Sequence, residues 1–305
     1  MRRRYEVWFL RLALADGTGA WWFRYLVMNP GRQGCAGSPR GAPVQVWATW
    51  FPRGGAAETL IEGFSMEGLA LSAPGKTPFH FALGENKIAE DSCAGHVCAE
   101  GHEIRWELRY RSTFGTTLSD RGWIGFSRTP HSDAVFSGEI AMDGRAFRGE
   151  PLGYGLQGHN CGYRHRGMWT WTHCIFPGAE GGNAASFEAI EYDMPLGLRF
   201  RKAVLWTGGR AFEFRRFEKM RRRRAELDWN FEAVNPRERT RIHAIVDGSG
   251  ASLHRLPYLK TDCSGTFEVS NNSLARATLR FEQAGREPVV LTTDCGAVLE
   301  MAGGE

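Results

Sequence analysis

The residues between Gly153 and Phe176 hold the densest set of side chains in the sequence that could do chemistry. These 24 positions contain three of the nine histidines, two of the eleven tryptophans and two of the seven tyrosines. Imidazole exchanges protons near neutral pH, and indole rings supply apolar surface with one polar edge. Together these residue types predict an apolar small-molecule pocket that contains a protonatable group.

His159 is the first candidate for a proton donor or relay. Asn160 would orient the imidazole or a water molecule, and Gln157 is a candidate binding residue just before it. Two structural interpretations stay open: His159 as a buried histidine bonded to the backbone, and Asn160 as a turn former. Cys161 is two residues from His159 and could share its face of a strand, so a thiol–imidazole nucleophile is a further alternative.

Residues 169–173 alternate aromatic and polar side chains in a pattern typical of a strand. Trp169, Trp171 and His173 would share one face, and the threonines between them would point to the other. On a barrel wall, this aromatic face would line a ligand pocket that ends in a histidine. The alternative is that both tryptophans belong to an ordinary core. Tyr163, in the preceding loop, is a further binding candidate.

A second predicted strand brings carboxylates near this face. If residues 185–192 pair with residues 169–176, acidic side chains of the second strand approach His173. Glu188 and Tyr192 share one face of that strand because they are an even number of residues apart. Tyr192 is therefore included in the predicted binding set.

Two further carboxylates are candidates for the acid. Asp193 ends the 185–192 strand and is predicted as the catalytic acid, whereas Glu300, on the last strand, is predicted to bind substrate. A carboxylate at a barrel mouth is usually solvated, so a structural role stays open for each.

The scaffold that positions these residues is predicted to be all-β. Alternating segments recur between turn signals such as Asp16-Gly17 and Gly208-Gly209, and no alternation of strands with helices is present. Glycines at 153, 155, 158 and 162 predict close backbone approach. Strands are predicted at residues 5–14, 21–28, 44–51, 103–110, 137–142, 169–176, 185–192, 198–206, 211–217, 228–234, 240–246, 265–269, 275–281 and 288–292. So many antiparallel strands must close or stack to cover their edges.

The best helix candidate covers residues 217–227 and contains four consecutive arginines, Arg221 to Arg224. One interpretation is a patch for phosphate or an anionic membrane surface. The favoured interpretation is a solvated basic turn or short helix.

The run Gly158-His159-Asn160-Cys161-Gly162, followed by Trp169-Thr170-Trp171, resembles the motif of the carotenoid 1,2-hydratase (hydroxyneurosporene synthase) family and its tocopherol-cyclase-like relatives. The closing run of residues 296–303 is similar to that family's last strand. Cys161 stands where the family usually has Trp, which leaves the substrate open.

The resemblance implies two packed lipocalin-like antiparallel β-barrels, that is, tandem calycin-like domains, at residues 1–165 and 166–305. It also implies cofactor-independent acid catalysis, of lyase or isomerase type, on an apolar isoprenoid, polyene or polyketide-like substrate. Protonating an alkene creates a carbocation, which needs a positioned acid and aromatic faces that stabilise positive charge. Double-bond hydration and cyclisation both fit, and no cofactor or metal is expected.

Other functions remain as alternatives. A lipocalin-like barrel can bind a hydrophobic molecule without reacting with it, because fold does not fix function. A nucleic-acid partner is not expected, since the formal charge of the 305 residues is only +4. At most peripheral membrane contact is expected, and the oligomeric state stays open.

The apolar stretch after the N-terminal arginines is broken by charged residues and is followed by no small-residue cleavage site, so a cytoplasmic location is expected. The seven cysteines are odd in number and scattered, which favours reduced thiols. Cys93 and Cys98, with His96 and His102, match zinc spacing poorly and are expected to lie in a loop between strands.

Overall fold

The computed structural model describes residues 5–29, 34–35, 39–72, 78–121, 125–163, 165, 167–178 and 183–303. These residues form 22 strands and two short 3-10 segments, Pro39–Gly41 and Pro195–Gly197. All the described strand pairs are antiparallel. The all-β prediction is confirmed.

The chain divides into two units. The first contains Met1–Trp50, Glu58–His165 and Tyr258–Thr266, and the second contains Phe51–Ala57, Arg166–Pro257 and Phe267–Glu305. The predicted division into 1–165 and 166–305 did not include the one short segment that each unit takes from the other part of the chain, Tyr258–Thr266 for the first unit and Phe51–Ala57 for the second.

The first sheet has twelve strands. They are β1 (Tyr5–Leu14), β2 (Gly19–Met28), β3 (Val44–Pro52), β4 (Glu58–Phe64), β5 (Ala70–Leu71), β6 (His80–Leu83), β7 (Asn86–Ala89), β8 (Ser92–Ala99), β9 (His102–Arg111), β10 (Thr116–Asp120), β11 (Gly125–Met142) and β12 (Arg145–Gly162).

The second sheet has ten strands. They are β13 (Trp169–Pro177), β14 (Asn183–Asp193), β15 (Arg199–Thr207), β16 (Arg210–Phe214), β17 (Arg216–Arg223), β18 (Asp228–Asn235), β19 (Thr240–Asp247), β20 (His254–Leu259), β21 (Thr266–Gln283) and β22 (Val289–Ala302).

The two sheets repeat one strand order. The first runs β4-β3-β2-β1-β12-β11-β9-β8-β7-β6-β5, and the second runs β16-β15-β14-β13-β22-β21-β19-β18-β17. In each case the first strand pairs with the last, β1 with β12 and β13 with β22. The backbone N–H of Cys98 in β8 donates to Glu62 in β4, so the first sheet curls until distant strands meet.

Each sheet encloses its own apolar core. In the first unit, Trp8 and Leu10 of β1 pack with Trp21, Phe23 and Tyr25 of β2, all essentially inaccessible to solvent. Large aromatic rings fill this interior. In the second unit, Cys174 and Phe176 are the residues of β13 in the apolar core, so the even-numbered residues of this strand face the core.

The predicted close approach at the β12 glycines is confirmed at Gly155. A Cβ atom on Gly155 would lie 1.8 Å from the carbonyl oxygen of Arg11 in β1. Such a distance is far inside van der Waals contact, so β12 can lie flat against β1 only because this residue has no side chain.

Two predictions are wrong. Arg221 to Arg223 lie in a strand, β17, rather than a helix, with residues that alternate between exposed and half-buried positions against β18, and Arg224 begins the following turn. Cys35 and Cys263 form a disulfide, although all seven cysteines were expected to be reduced. Their separation of 228 residues hides this pairing from any reading of local spacing.

In the described part of the chain, no helix has the length and apolar character that crossing a membrane would need.

Candidate active site

A buried acid–base pair lies inside the first unit. β1 and β12 pair in the register that sets Trp8 opposite His159 and Glu6 opposite Cys161, so these four side chains share the inner face. His159 Nε2 lies 3.0 Å from Glu6 Oε1. Only 5% of the His159 side chain and 4% of the Glu6 side chain are exposed, so the pair is shielded from solvent.

Aromatic rings enclose the imidazole of His159. The Trp8 ring stacks on it with centroids 4.7 Å apart and an interplanar angle of 21°. Phe126 meets it edge-on at 4.7 Å, and Phe79 lies 5.8 Å away. Ring faces carry partial negative charge, so this enclosure favours a cation within it.

Further polar atoms of the first unit are buried beside β12. Gln157, on the same face as His159, donates through Nε2 to the Gly158 carbonyl, while its Oε1 has no partner among the described residues. His131, opposite Gln157 on β11, bonds Ser112 Oγ through Nδ1 at 2.7 Å, and its Nε2 has no partner in the described chain. Because a buried polar atom without a partner costs about 1–3 kcal/mol, these atoms are suited to a ligand that can hydrogen-bond.

Two further predicted residues, Asn160 and Tyr163, are close to His159 in the sequence. Asn160 alternates to the opposite face of β12, and its buried Oδ1 has no hydrogen-bond partner in the part of the chain that is described. Tyr163 follows the end of β12 and is half-buried. Because neighbouring residues of a strand face opposite sides, the Asn160 side chain does not make the expected contact with the His159 ring.

The predicted aromatic face of β13 exists, but it is the face opposite the core. Trp169, Trp171 and His173 do share one side of the strand, whereas Cys174 and Phe176 enter the apolar core of the second unit. The expectation that this face lines the barrel interior is therefore wrong. Trp171 and His173 are nevertheless buried, with 6% and 0% exposure.

Two buried carboxylates accept hydrogen bonds from this tryptophan pair. Trp171 Nε1 donates to Glu188 Oε1 at 2.8 Å, and Trp169 Nε1 donates to Glu300 Oε1 at 2.8 Å. Asn271 Nδ2 reaches the second oxygen of Glu300 at 3.3 Å. Each carboxylate is thus held in a fixed orientation by an indole N–H.

The pairing of β13 with β14 places His173 directly opposite Glu188, as predicted from the two alternating segments. Val298 of β22 lies on the other side of His173. The second unit therefore has a buried imidazole next to a buried carboxylate on one sheet face.

Tyr192 and Asp193 end the same strand. Tyr192 lies opposite Trp169 and stacks on Phe200 with ring centroids 4.7 Å apart. Asp193 alternates to the core side, and its Oδ1 accepts the backbone N–H of Met168 at 3.0 Å. Asp193 is therefore not brought together with Trp171 and His173.

Sequence reasoning missed Glu6 altogether. It is the single acidic residue of β1, whose other charged residue is Arg11, and it alternates in phase with Trp8 and Leu10. A carboxylate at a core position of an apolar strand needs a buried partner. That pattern is the signal that could have identified it, although the identity of the partner could not have been read from it.

No protein-family model and no curated protein matches this sequence. Solved structures are similar to it. CghA with Sch210972 is 11% identical, with a TM-score of 0.63, covering 99% of this chain and 89% of that one. Kievitone hydratase from Nectria haematococca is 10% identical, with a TM-score of 0.58, covering 98% of this chain and 89% of that one.

These similarities extend over nearly the whole chain and concern the fold. The protein has a two-domain lipocalin-like β fold, as the sequence predicted. At 10 and 11% identity they do not establish a shared activity.

Described residues line a cleft in each unit. One, of about 730 Å³, lies in the second unit and is lined mainly by polar residues such as Arg239, Arg241 and Glu282. The other, in the first unit, surrounds Arg24 and Trp47. Neither is lined by His159 or Trp171, and the first interior is occupied by aromatic side chains, so the predicted open chamber is not observed in either cleft.

Among the described residues, one cluster has the donor types of a metal site. His96, Cys98 and Glu103 place a ligand atom each within 4.8 Å of one another on the β8–β9 hairpin. The other two residues considered from spacing lie apart from it: Cys93 is buried, and His102 pairs with Asp143 at 2.7 Å. These residues lie on strands rather than in the expected loop.

Proposed function

We propose that the protein is a cofactor-independent acid–base enzyme that hydrates or cyclises an apolar isoprenoid, polyene or polyketide-like molecule. The observation that carries the proposal is the Glu6–His159 pair, buried within 3.0 Å contact and enclosed by aromatic rings. A proton donor in an apolar, aromatic surrounding is what alkene protonation requires.

The proposed reaction begins with His159 in its protonated form, held by the Glu6 carboxylate. The imidazolium gives its proton to one carbon of a substrate double bond, and the other carbon becomes a cation. Trp8 and Phe126 stabilise that cation, by about 0.5–2 kcal/mol for each ring face. In hydration, the oxygen of a water molecule bonds to the cation and returns a proton to His159. In cyclisation, a second double bond of the substrate attacks the cation instead, which closes the ring and leaves a new cation. A C–H proton next to that cation then passes to His159, and its electron pair forms a double bond.

Further residues are proposed to bind substrate. Gln157 offers a buried acceptor oxygen near the pair. Asn160 and Tyr163 would contribute from the outer face and the end of β12. A separate binding set is proposed on the second unit, on the face of its sheet opposite the core, with Trp169, Trp171, His173, Tyr192 and Glu300. Glu6, rather than the predicted Asp193, is the carboxylate of the proposed reaction, because it holds His159 whereas the Asp193 Oδ1 accepts the Met168 backbone N–H.

The structural neighbours support the reaction class. One of them is named as a hydratase of kievitone, and another was crystallised with the small molecule Sch210972. We therefore propose that this chain also acts on an apolar small molecule. The narrower assignment to carotenoid or tocopherol chemistry rests only on the motif around His159.

A non-catalytic carrier is the second candidate. Its support is the pair of buried atoms Gln157 Oε1 and His131 Nε2, which have no hydrogen-bond partner among the described residues. Such a site can hold the polar end of a ligand without delivering a proton to it.

One experiment separates these functions. The protein is incubated with kievitone and with a panel of prenylated phenols and polyenes in deuterated water, and products are analysed by mass spectrometry. Binding is measured in parallel by native mass spectrometry. The enzyme proposal expects deuterium in the product, loss of turnover in His159→Ala with binding retained, and normal turnover in His80→Ala, an exposed control.

Full turnover in His159→Ala would remove the proposed mechanism. Binding of panel members by the wild-type protein without any product would instead favour the carrier.

A further inference from the structure

A second buried polar group in the first unit is Arg24, on the face of β2 opposite the aromatic core. Its side chain is 8% exposed. The guanidinium carbon lies 4.6 Å from the ring centroid of Trp47 in β3 and 4.5 Å from that of Tyr258 in β20. These two rings are nearly perpendicular, at 78°. The cation is therefore held against two ring faces in a fixed position.

Arg24 has no anionic partner in the described part of the chain. Its Nη1 is buried and makes no hydrogen bond to any described residue. The Arg24 side chain lines the small cleft of the first unit that also contains Trp47. This Arg24 cleft has no Asp or Glu in its described lining. Because a buried charge is costly unless paired, cation–π contact alone leaves the guanidinium short of a counter-charge.

The surroundings of the Arg24 cleft add positive rather than negative charge. Arg40 lies on its rim, 5.8 Å from the Trp47 ring centroid. Desolvation, and then the charge of Arg24, lowers the pKa of His165 to about 3, so this lining residue is neutral at pH 7. Gln45 is engaged by Trp47 Nε1 and by two backbone carbonyls, which fixes the cleft wall.

The cleft is small and otherwise apolar. About 10 Å³ is open to the centre of a water-sized group, which is room for roughly one such group beside Arg24. Leu26, Met28 and Leu259 supply apolar wall next to it. This combination fits a single anionic head carried on an apolar body better than a bulky polyanion such as a phosphate ester.

We propose that the Arg24 cleft binds a carboxylate, with the Arg24 Nη1–H groups donating to a carboxylate oxygen and the apolar wall contacting the adjoining carbon chain. An arginine–carboxylate hydrogen bond is charge-assisted and is stronger than a neutral one. The site lies apart from the Glu6–His159 pair and does not depend on the proposed reaction.

Calorimetric titration of the intact protein with acetate, octanoate and octanol tests the site, at an ionic strength kept constant with a bulky sulfonate. Octanoate is expected to bind more tightly than acetate, and octanol weakly. Arg24→Met should weaken octanoate binding by about tenfold or more, and Arg24→Lys by less. Arg111→Met, which removes an exposed arginine of β9, should leave binding unchanged.

If acetate and octanoate bind equally tightly, the proposal that the ligand is a carboxylate with an apolar chain is rejected in favour of a free small anion. Octanol binding as tightly as octanoate, or unchanged binding in Arg24→Met, would overturn the site itself. Should Arg24→Met not fold, wild-type crystals soaked in bromide decide the question. An anomalous peak within hydrogen-bond distance of Arg24 Nη1 supports the site, and bromide peaks only elsewhere reject it.

Discussion

His159 Nε2 lies 3.0 Å from Glu6 Oε1, although the two residues are 153 positions apart in the sequence. The pairing of the first strand with the last strand of the first unit brings them together. In this aromatic interior each residue contributes a buried hydrogen bond to the other. Their mutual dependence is the basis for the first prediction.

Replacing either member of the pair with leucine should destabilise the protein by about 1–3 kcal/mol, because the remaining polar group is left buried without its partner. The double variant should lose less than the sum of the two single variants. Urea unfolding of all four proteins measures this coupling. The exposed pair His102–Asp143 provides a matched comparison, for which a smaller coupling is expected. Strictly additive losses at Glu6 and His159 would contradict the contact.

The indole hydrogen bond from Trp171 to Glu188 should be visible by NMR. Glu188→Gln removes the negative charge from the acceptor, so the Trp171 indole proton should shift upfield as its charge-assisted bond weakens. Trp229 is the internal control, since its buried Nε1 has no partner among the described residues. A Trp171 resonance unaffected by Glu188→Gln would show that the bond is not formed in solution.

Thiol counting should show five free cysteines after denaturation without reductant, out of the seven in the sequence. Cys35→Ser removes one cysteine and releases Cys263 from the disulfide, so the six remaining cysteines should all be free and the thiol count should rise from five to six. It should also lower stability by about 2–4 kcal/mol, the usual contribution of a native disulfide. Cys98→Ser, at an exposed free thiol, should have little effect on stability. Seven reactive thiols in the wild-type protein would contradict the bridge.

Stability should fall with decreasing pH in part through His165. Its pKa is lowered from 6.5 to about 3 in the folded protein, mainly by desolvation. Between these values the unfolded chain binds a proton that the folded chain does not, so protonation favours unfolding as pH falls below 6.5. Burial lowers the pKa of His131 in the same direction. Between pH 7 and pH 4 the free energy of unfolding should therefore fall less in His165→Gln than in the wild-type protein, and the difference between the two losses should be on the order of a few kcal/mol. Identical pH profiles would count against this assignment.

Gly155→Ala should destabilise the protein by about 1–3 kcal/mol, because the added methyl group would meet the Arg11 carbonyl oxygen at 1.8 Å and force β12 away from β1. Gly162→Ala is the control on the same strand, with its nearest contact 3.1 Å from the Tyr5 side chain. Thermal unfolding of the two variants should rank them in that order, and equal melting temperatures would be inconsistent with the close approach.

Part of the strand positions and shared faces was predicted from the sequence, whereas β4 to β8, β10 and β20 were not predicted. The first strand is observed at Tyr5–Leu14, as expected, and the β13–β14 pairing does set His173 opposite Glu188. Alternation determines these features because successive side chains of a strand point to opposite sides. It does not determine which side faces the core, and for that reason Trp169 and Trp171 were assigned to the wrong side of β13.

The partners of the candidate site could not be predicted in the same way. Glu6 reaches His159, and Glu300 reaches Trp169, through pairings between the ends of each unit. Such contacts depend on strand order, which no local pattern records. The arginine run gives a related lesson, because four like charges suggested a solvated turn while alternation within β17 places Arg222 beside buried Glu191.

The Cys35–Cys263 bridge closes a covalent ring around most of the polypeptide, because 228 residues separate its ends. A protease that nicks any single peptide bond inside that ring would leave one molecule of undiminished mass until a reductant is added. A gene fragment ending at residue 165 would encode the first unit without Tyr258–Thr266, and so without the cysteine that closes the ring. Dissecting the two units for separate study therefore requires splicing that distal segment back, for instance through a designed linker, rather than simple truncation.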